Sequence, residues 1–172
     1  MYNRVEEYKK EFYFNLGLLS TKFSKMEYKL IQILGLLIVD NFVITNTIFE
    51  KNSLAQNLEL LKKLNKYRSY EEKYIQNLIA NIGRIKKDRN LFIHGIWGEP
   101  FEFENDILIQ CHDPKIQYES IQEGEMIVSQ EWSSSKPQEF RLTYIKKLIK
   151  NLDDIICCQD YFIEKLKMHT FD

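Results

Sequence analysis

Apolar residues recur along much of this chain at steps of three and four, the spacing that lines one face of an α-helix. Val5, Tyr8, Phe12, Leu16 and Leu19 open the series and predict a first helix from Asn3 to about Leu19. Ser24 and Glu27 then stand three apart. At that spacing a hydroxyl accepts from the third helical N–H while the carboxylate reaches back, so the pair predicts a second helix running to about Asn46. Ser53 with Gln56, and Ser69 with Glu72, repeat the signal. They predict a shorter helix carrying Leu54, Leu58, Leu61 and Leu64, and a fourth carrying Ile75, Leu78, Ile82, Ile85 and Phe92. Gly95 and Gly98 offer a C-terminal stop, and Pro100 cannot continue a helix.

After Pro100 the period changes. Ile107 to Cys111, Ile116 to Ile121 and Met126 to Trp132 are short runs suited to strands, with Asp113-Pro114 and Glu123-Gly124 as turn signals between them. They predict a small antiparallel meander, which needs a helical surface to pack against. Thr143 can cap a final helix whose apolar face includes Ile145, Leu148, Leu152, Ile155, Ile156 and Ile163. The expected architecture is mainly α, an antiparallel bundle of four to five helices with the meander inserted. One domain spans residues 1–172, with helices over about 3–98, the β insertion over about 101–133 and the C-terminal helix over about 143–168.

Composition narrows the function classes. The 172 residues are 44% hydrophobic and 28% charged, enough apolar residue for a continuous core. A formal net charge of -1 gives no overall field toward nucleic acid, so any RNA binding must use a local basic patch. Cys111, Cys157 and Cys158 lack zinc or redox spacing and read as reduced thiols. Met1 to Glu11 is charged without an apolar core, so no secretory signal is expected, and the location predicted is cytoplasmic. The most apolar run, Ile33 to Val39, is too short to span a bilayer, so no membrane partner is expected.

Candidate chemistry concentrates late in the fourth helix. Leu78, Ile82, Ile85, Arg89, Phe92 and Ile96 advance by four, three, four, three and four, so Arg89 interrupts an apolar stripe. Burying an unpaired guanidinium is costly. Its head therefore finds a core carboxylate, snorkels to solvent, or serves a function. His94 shares a flank with Asn90 and Trp97. On an ideal helix Arg89 and His94 point about 140° apart. Either the arginine reaches around, or a second subunit brings the two residue types together. Arg84, Lys86 and Lys87 just upstream could supply a local positive field, or simply form a solvated face. Trp97 could stack on a base, or close the mouth of the bundle.

The run Asp88-Arg89-Asn90-Leu91-Phe92-Ile93-His94-Gly95-Ile96-Trp97 resembles the Arg-x(4–6)-His motif of HEPN domains, in which a polar residue, often Asn, follows the arginine. The resemblance implies a HEPN-like bundle that pairs as a homodimer about a two-fold axis, with both motif copies in one cleft. It implies a metal-independent endoribonuclease with no cofactor, in which the RNA 2′-hydroxyl attacks the adjacent phosphorus. His94 is then the general acid or base, and Arg89 holds the phosphate. Asn90 orients His94 or binds a phosphate oxygen. Arg84, Lys86, Lys87 and Trp97 become substrate contacts. The implied products are a 2′,3′-cyclic phosphate and a 5′-hydroxyl. The family also implies a toxin or antiphage defence role, with an antitoxin or other defence partner. One departure is plain: related toxins regulated by tyrosine modification carry His-x-Tyr, and here that position is Ile96. The alternative reading is a non-catalytic module of the same shape that binds nucleotide, RNA or protein.

Overall fold

The computed structural model describes residues 2–38, 41–104, 106–114, 116–123, 126–134 and 136–169. The protein is mainly helical with a small antiparallel β component. Helices α1 (Tyr2–Ile38), α2 (Phe42–Phe49), α3 (Leu54–Arg68) and α4 (Glu72–His94) come first. Strands β1 (Ile96–Trp97), β2 (Phe101–Phe103), β3 (Asp106–His112), β4 (Ile116–Glu123), β5 (Met126–Ser134) and β6 (Gln138–Arg141) follow, and α5 (Leu142–Lys167) closes the described order. The chain falls into two compact units, one of residues 1–16 with 88–145 and one of residues 17–87 with 146–172.

The first two expected helices are one. Phe12, Leu19, Phe23, Met26, Leu30, Ile33 and Leu37 are all buried, at steps of seven, four, three, four, three and four. This apolar phase runs unbroken through Ser24. The Ser24 hydroxyl donates back to the Ser20 carbonyl, as a serine inside a helix does. A local capping pattern therefore yields to continuous burial. The chain breaks later, and Asn41 caps α2 by accepting from the Ile44 N–H. Val39 and Asp40, at the end of the expected apolar run, lie outside the described residues.

The Ser53 signal behaves as expected. Its hydroxyl accepts from the Gln56 N–H, and the Gln56 side chain accepts from the Ser53 N–H. Ser69 does not open α4. It lies in the left-handed region at φ 52° and ends α3, its N–H donating to the Asn65 carbonyl. Glu71 is also left-handed at φ 51°, and α4 begins at Glu72. The two serine contexts give a direct test. Ser53→Ala is expected to cost about 1 kcal/mol in chemical denaturation. Ser24→Ala should lie within about 0.5 kcal/mol of the parent. Equal losses would contradict this account of the helix starts.

In the unit of residues 17–87 and 146–172, helix directions are mixed. Lys22 pairs with Asp153 and Lys29 with Asp160, so α1 and α5 run parallel in one register. The Gln159 amide donates to the Met26 carbonyl within that seam. Helix α4 runs antiparallel to α5, with the Tyr74 hydroxyl donating to the Cys158 carbonyl and Lys165 paired to Glu71. The core holds Leu61 of α3, Ile75 and Ile82 of α4, and Leu152 and Phe162 of α5.

In the other unit β3 is central. It pairs with β1 and β2 along one edge and with β6 on the other, all antiparallel. Strands β4 and β5 form a separate two-stranded ladder. Among the described residues β3 pairs with β1, β2 and β6, and β4 with β5, so the expected single meander is corrected to a sheet and a separate ladder. The strands also reach from Ile96 to Arg141, beyond the expected 101–133. Runs as short as Ile96–Trp97 and Phe101–Phe103 carry no legible alternation, so pattern reading misses them. Gly124, the expected turn residue, lies outside the described residues. The Tyr8 hydroxyl donates to the Ile107 carbonyl and accepts from the Leu142 N–H, tying the start of α1 to β3 and to the start of α5. Among the described residues no single helix is long and apolar enough to cross a membrane.

Candidate active site

The Arg89–His94 segment is the last turn and a half of α4, immediately before β1. Leu91 and Phe92 are buried, whereas Asn90 and His94 are exposed and Arg89 is half-buried. Helical phase produces this split, because the apolar stripe and the polar flank alternate within one turn.

Phe92 anchors the segment. Its ring lies 5.0 Å from Trp97 and 5.0 Å from Phe140, both edge-on, and Trp97 meets Phe12 at 5.2 Å. Trp97 is therefore a packing residue in this cluster, half-buried, and its indole N–H has no hydrogen-bond partner among the described residues. Aromatic pairs of this kind add about 0.5–1.5 kcal/mol each beyond burial. Partial burial of its hydroxyl, then the neighbouring Asp88 carboxylate, push the Tyr144 phenol up to about 12.

Gly95 makes the corner. Its N–H donates to the Leu91 carbonyl at 2.7 Å. A Cβ there would meet the Cys111 sulfur and the Leu91 carbonyl oxygen, each at 2.3 Å. Only glycine fits this closely between α4 and β3.

Around this corner the arginine does reach the histidine within one chain. Arg89 Nη1 is 3.3 Å from His94 Nε2 and 3.2 Å from Asn90 Oδ1. The long side chain spans the 140° separation, so no second subunit is needed to bring the two together. Guanidinium nitrogens only donate. The contact therefore calls for an accepting Nε2 and for the imidazole tautomer with its proton on Nδ1. Asn90 acts on Arg89 rather than on His94: its amide oxygen accepts from the guanidinium. The three residues form one solvent-facing cluster of cation, amide and imidazole.

Arg84, Lys86 and Lys87 precede the cluster on α4 but belong to the other compact unit. Arg84 donates to the Asn81 amide oxygen. Of the remaining histidines, His112 pairs backbone-to-backbone with Ile96, and His169 stacks on Tyr70 at 4.1 Å. Among the described residues no three His, Cys, Asp or Glu side chains converge as a metal ion would require.

Cys111 is fully buried behind the glycine corner. Burial, and then the Asp113 carboxylate, push its thiol from 9.0 up to about 11. Its neutral form is favoured in the folded state, so this contribution to stability is complete below about pH 9. It is lost as pH rises from 9 through 11, because the unfolded thiol ionises first. The melting temperature is expected to fall across that window, and less so for Cys111→Ala. At pH 8 a thiol reagent should modify the exposed Cys157 and Cys158 and spare Cys111.

Comparison with protein-family models, with curated proteins and with solved structures gives no match.

Proposed function

We propose that the protein is a metal-independent endoribonuclease of the HEPN type. The observation that carries this reading is the single cluster in which Arg89 Nη1 lies 3.3 Å from His94 Nε2. In the resting state Nε2 is engaged by the guanidinium. An RNA phosphate competes for that guanidinium, because a charge-assisted bidentate pair is stronger than a contact to a neutral ring. Once the phosphate takes Arg89, Nε2 is free to act as general base.

The chemistry then balances simply. The 2′-hydroxyl gives its proton to Nε2 and its oxygen bonds to the adjacent phosphorus. The bond from phosphorus to the 5′ oxygen breaks, and that oxygen leaves with a proton. Arg89 stabilises the charge that grows on the phosphoryl oxygens. Asn90 holds the guanidinium in place. A homodimer would set two such clusters in one cleft, where the second His94 can protonate the leaving oxygen. A role as a toxin or defence effector belongs to the same proposal and rests on the motif resemblance alone.

One observation favours the non-catalytic alternative. The unit that holds the cluster has 7 Lys and Arg against 14 Asp and Glu, a formal charge of −7. An acidic surround opposes RNA binding at the cluster itself. The deciding experiment incubates purified protein with labelled single-stranded RNAs in EDTA and identifies the ends formed. Cleavage to 2′,3′-cyclic phosphate and 5′-hydroxyl ends supports the enzyme. Folded protein that binds RNA without cutting it establishes the binding module.

A further inference from the structure

The net charge of -1 conceals a division. Against the −7 of the first unit, the unit of residues 17–87 and 146–172 has 17 Lys and Arg against 11 Asp and Glu, a formal +6. By net charge a polyanion is drawn more strongly to this second unit than to the one that holds His94.

The excess can be located. Helix α4 has no Asp or Glu from Lys73 to Lys87, and α5 has none from Leu142 to Leu152. The antiparallel pairing sets the Arg84 end of α4 beside the Lys150 end of α5. A groove of about 420 Å³ opens between them, with Arg84 and Asn81 on one wall and Asn151 and Asp154 on the other. Its floor is apolar, formed by Leu78, Ile85 and Ile155. At the far end of this helix pair the cation is matched, Lys165 to Glu71. Lys22 and Lys29 are likewise matched, to Asp153 and Asp160. Lys87, Lys147 and Lys150 have no ion-pair partner among the described residues.

We propose that this groove is a binding site for single-stranded RNA, with Arg84 inside it and Lys147 and Lys150, on the turn of α5 that leads to the lining residue Asn151, beside it as phosphate contacts. The amides of Asn77, Asn81 and Asn151 offer donors and acceptors that suit exposed base edges above the apolar floor. An acidic peptide would need the cations but not the amides. The groove rests on the ribonuclease reading only for the choice of RNA as the anion.

The test measures binding of a 2′-O-methyl oligonucleotide, which cannot be cut, by fluorescence anisotropy across a salt series. Lys147→Glu with Lys150→Glu is expected to weaken binding roughly tenfold or more and to lower the log–log salt slope by about 1.4, two phosphate contacts' worth. Arg84→Gln should weaken binding in the same direction by less. Lys62→Glu with Lys63→Glu, an equal charge change on the exposed face of α3, should stay within about twofold of the parent. The oligonucleotide cannot be cut, so binding is read without turnover and a failure of the catalytic reading leaves this measurement intact. Unchanged affinity in the Lys147/Lys150 variant overturns the proposal. So does an equal loss in the Lys62/Lys63 variant, since total charge rather than the groove would then attract the RNA.

Discussion

Replacing His94 with alanine is expected to lower RNA cleavage by about 10²–10⁴-fold with the melting temperature nearly unchanged. His94 is the last residue of α4 and exposed, so its side chain contributes little to the core. Among the described residues its side chain meets Arg89. Arg89→Lys makes a sharper companion. Lysine keeps the charge but loses the planar fork that can grip a phosphate and reach Asn90 and His94 together. The loss should appear in kcat, because a point charge still attracts the substrate while the developing phosphoryl charge loses its donors. Cleavage by His94→Ala at the parental rate would remove the catalytic reading outright. Equal kcat in Arg89→Lys, with only KM raised, would reduce Arg89 to a binding residue.

Gly95→Ala is expected to be the most damaging small substitution in the unit that carries the motif. The added methyl would sit 2.3 Å from a sulfur and 2.3 Å from a backbone carbonyl oxygen. The sulfur can swing aside, but the Leu91 carbonyl belongs to the last turn of α4 and cannot move without unwinding it. A cost of roughly 2–4 kcal/mol follows, read as a fall of roughly 5–15 °C in melting temperature. Cys111→Ala in the same chain should recover only part of the loss, because it relieves the sulfur and not the carbonyl. A fall of less than about 2 °C would mean that the corner relaxes freely, and the glycine would lose its structural explanation. Activity should fall with stability, since displacing the Leu91 carbonyl disturbs the turn on which Arg89 and His94 stand.

The sequence by itself determined the helical class, the presence of strands before the last helix and the position of the motif at the end of α4. Each of these depends on the periodicity of buried side chains, which a linear pattern records directly. The Ser53 cap was legible for the same reason: its partners are three residues away. The Ser24 and Ser69 patterns are locally identical to it and have other fates. At Ser24 a continuous buried face from Phe12 to Leu37 outweighs one cap, and at Ser69 the preceding helix claims the residue as its own end.

Only the tertiary structure decided the rest. Strand pairing joins β3 to β6 across residues 108 and 141, a contact no local pattern encodes. The division into a unit of −7 and a unit of +6 cancels in the total and becomes visible only when the chain is partitioned in space. The packing of α4 against α5 then brings Arg84 into one groove with Asn151 and Asp154, about seventy residues away in sequence. Arg89 itself was conspicuous in the sequence because it breaks an apolar stripe. Its contact with His94 was not, because ideal helical directions set the two about 140° apart. What closes that angle is the length of the arginine side chain over a last turn fixed by Phe92 and Gly95, and side-chain reach is a property of the folded surface rather than of residue spacing.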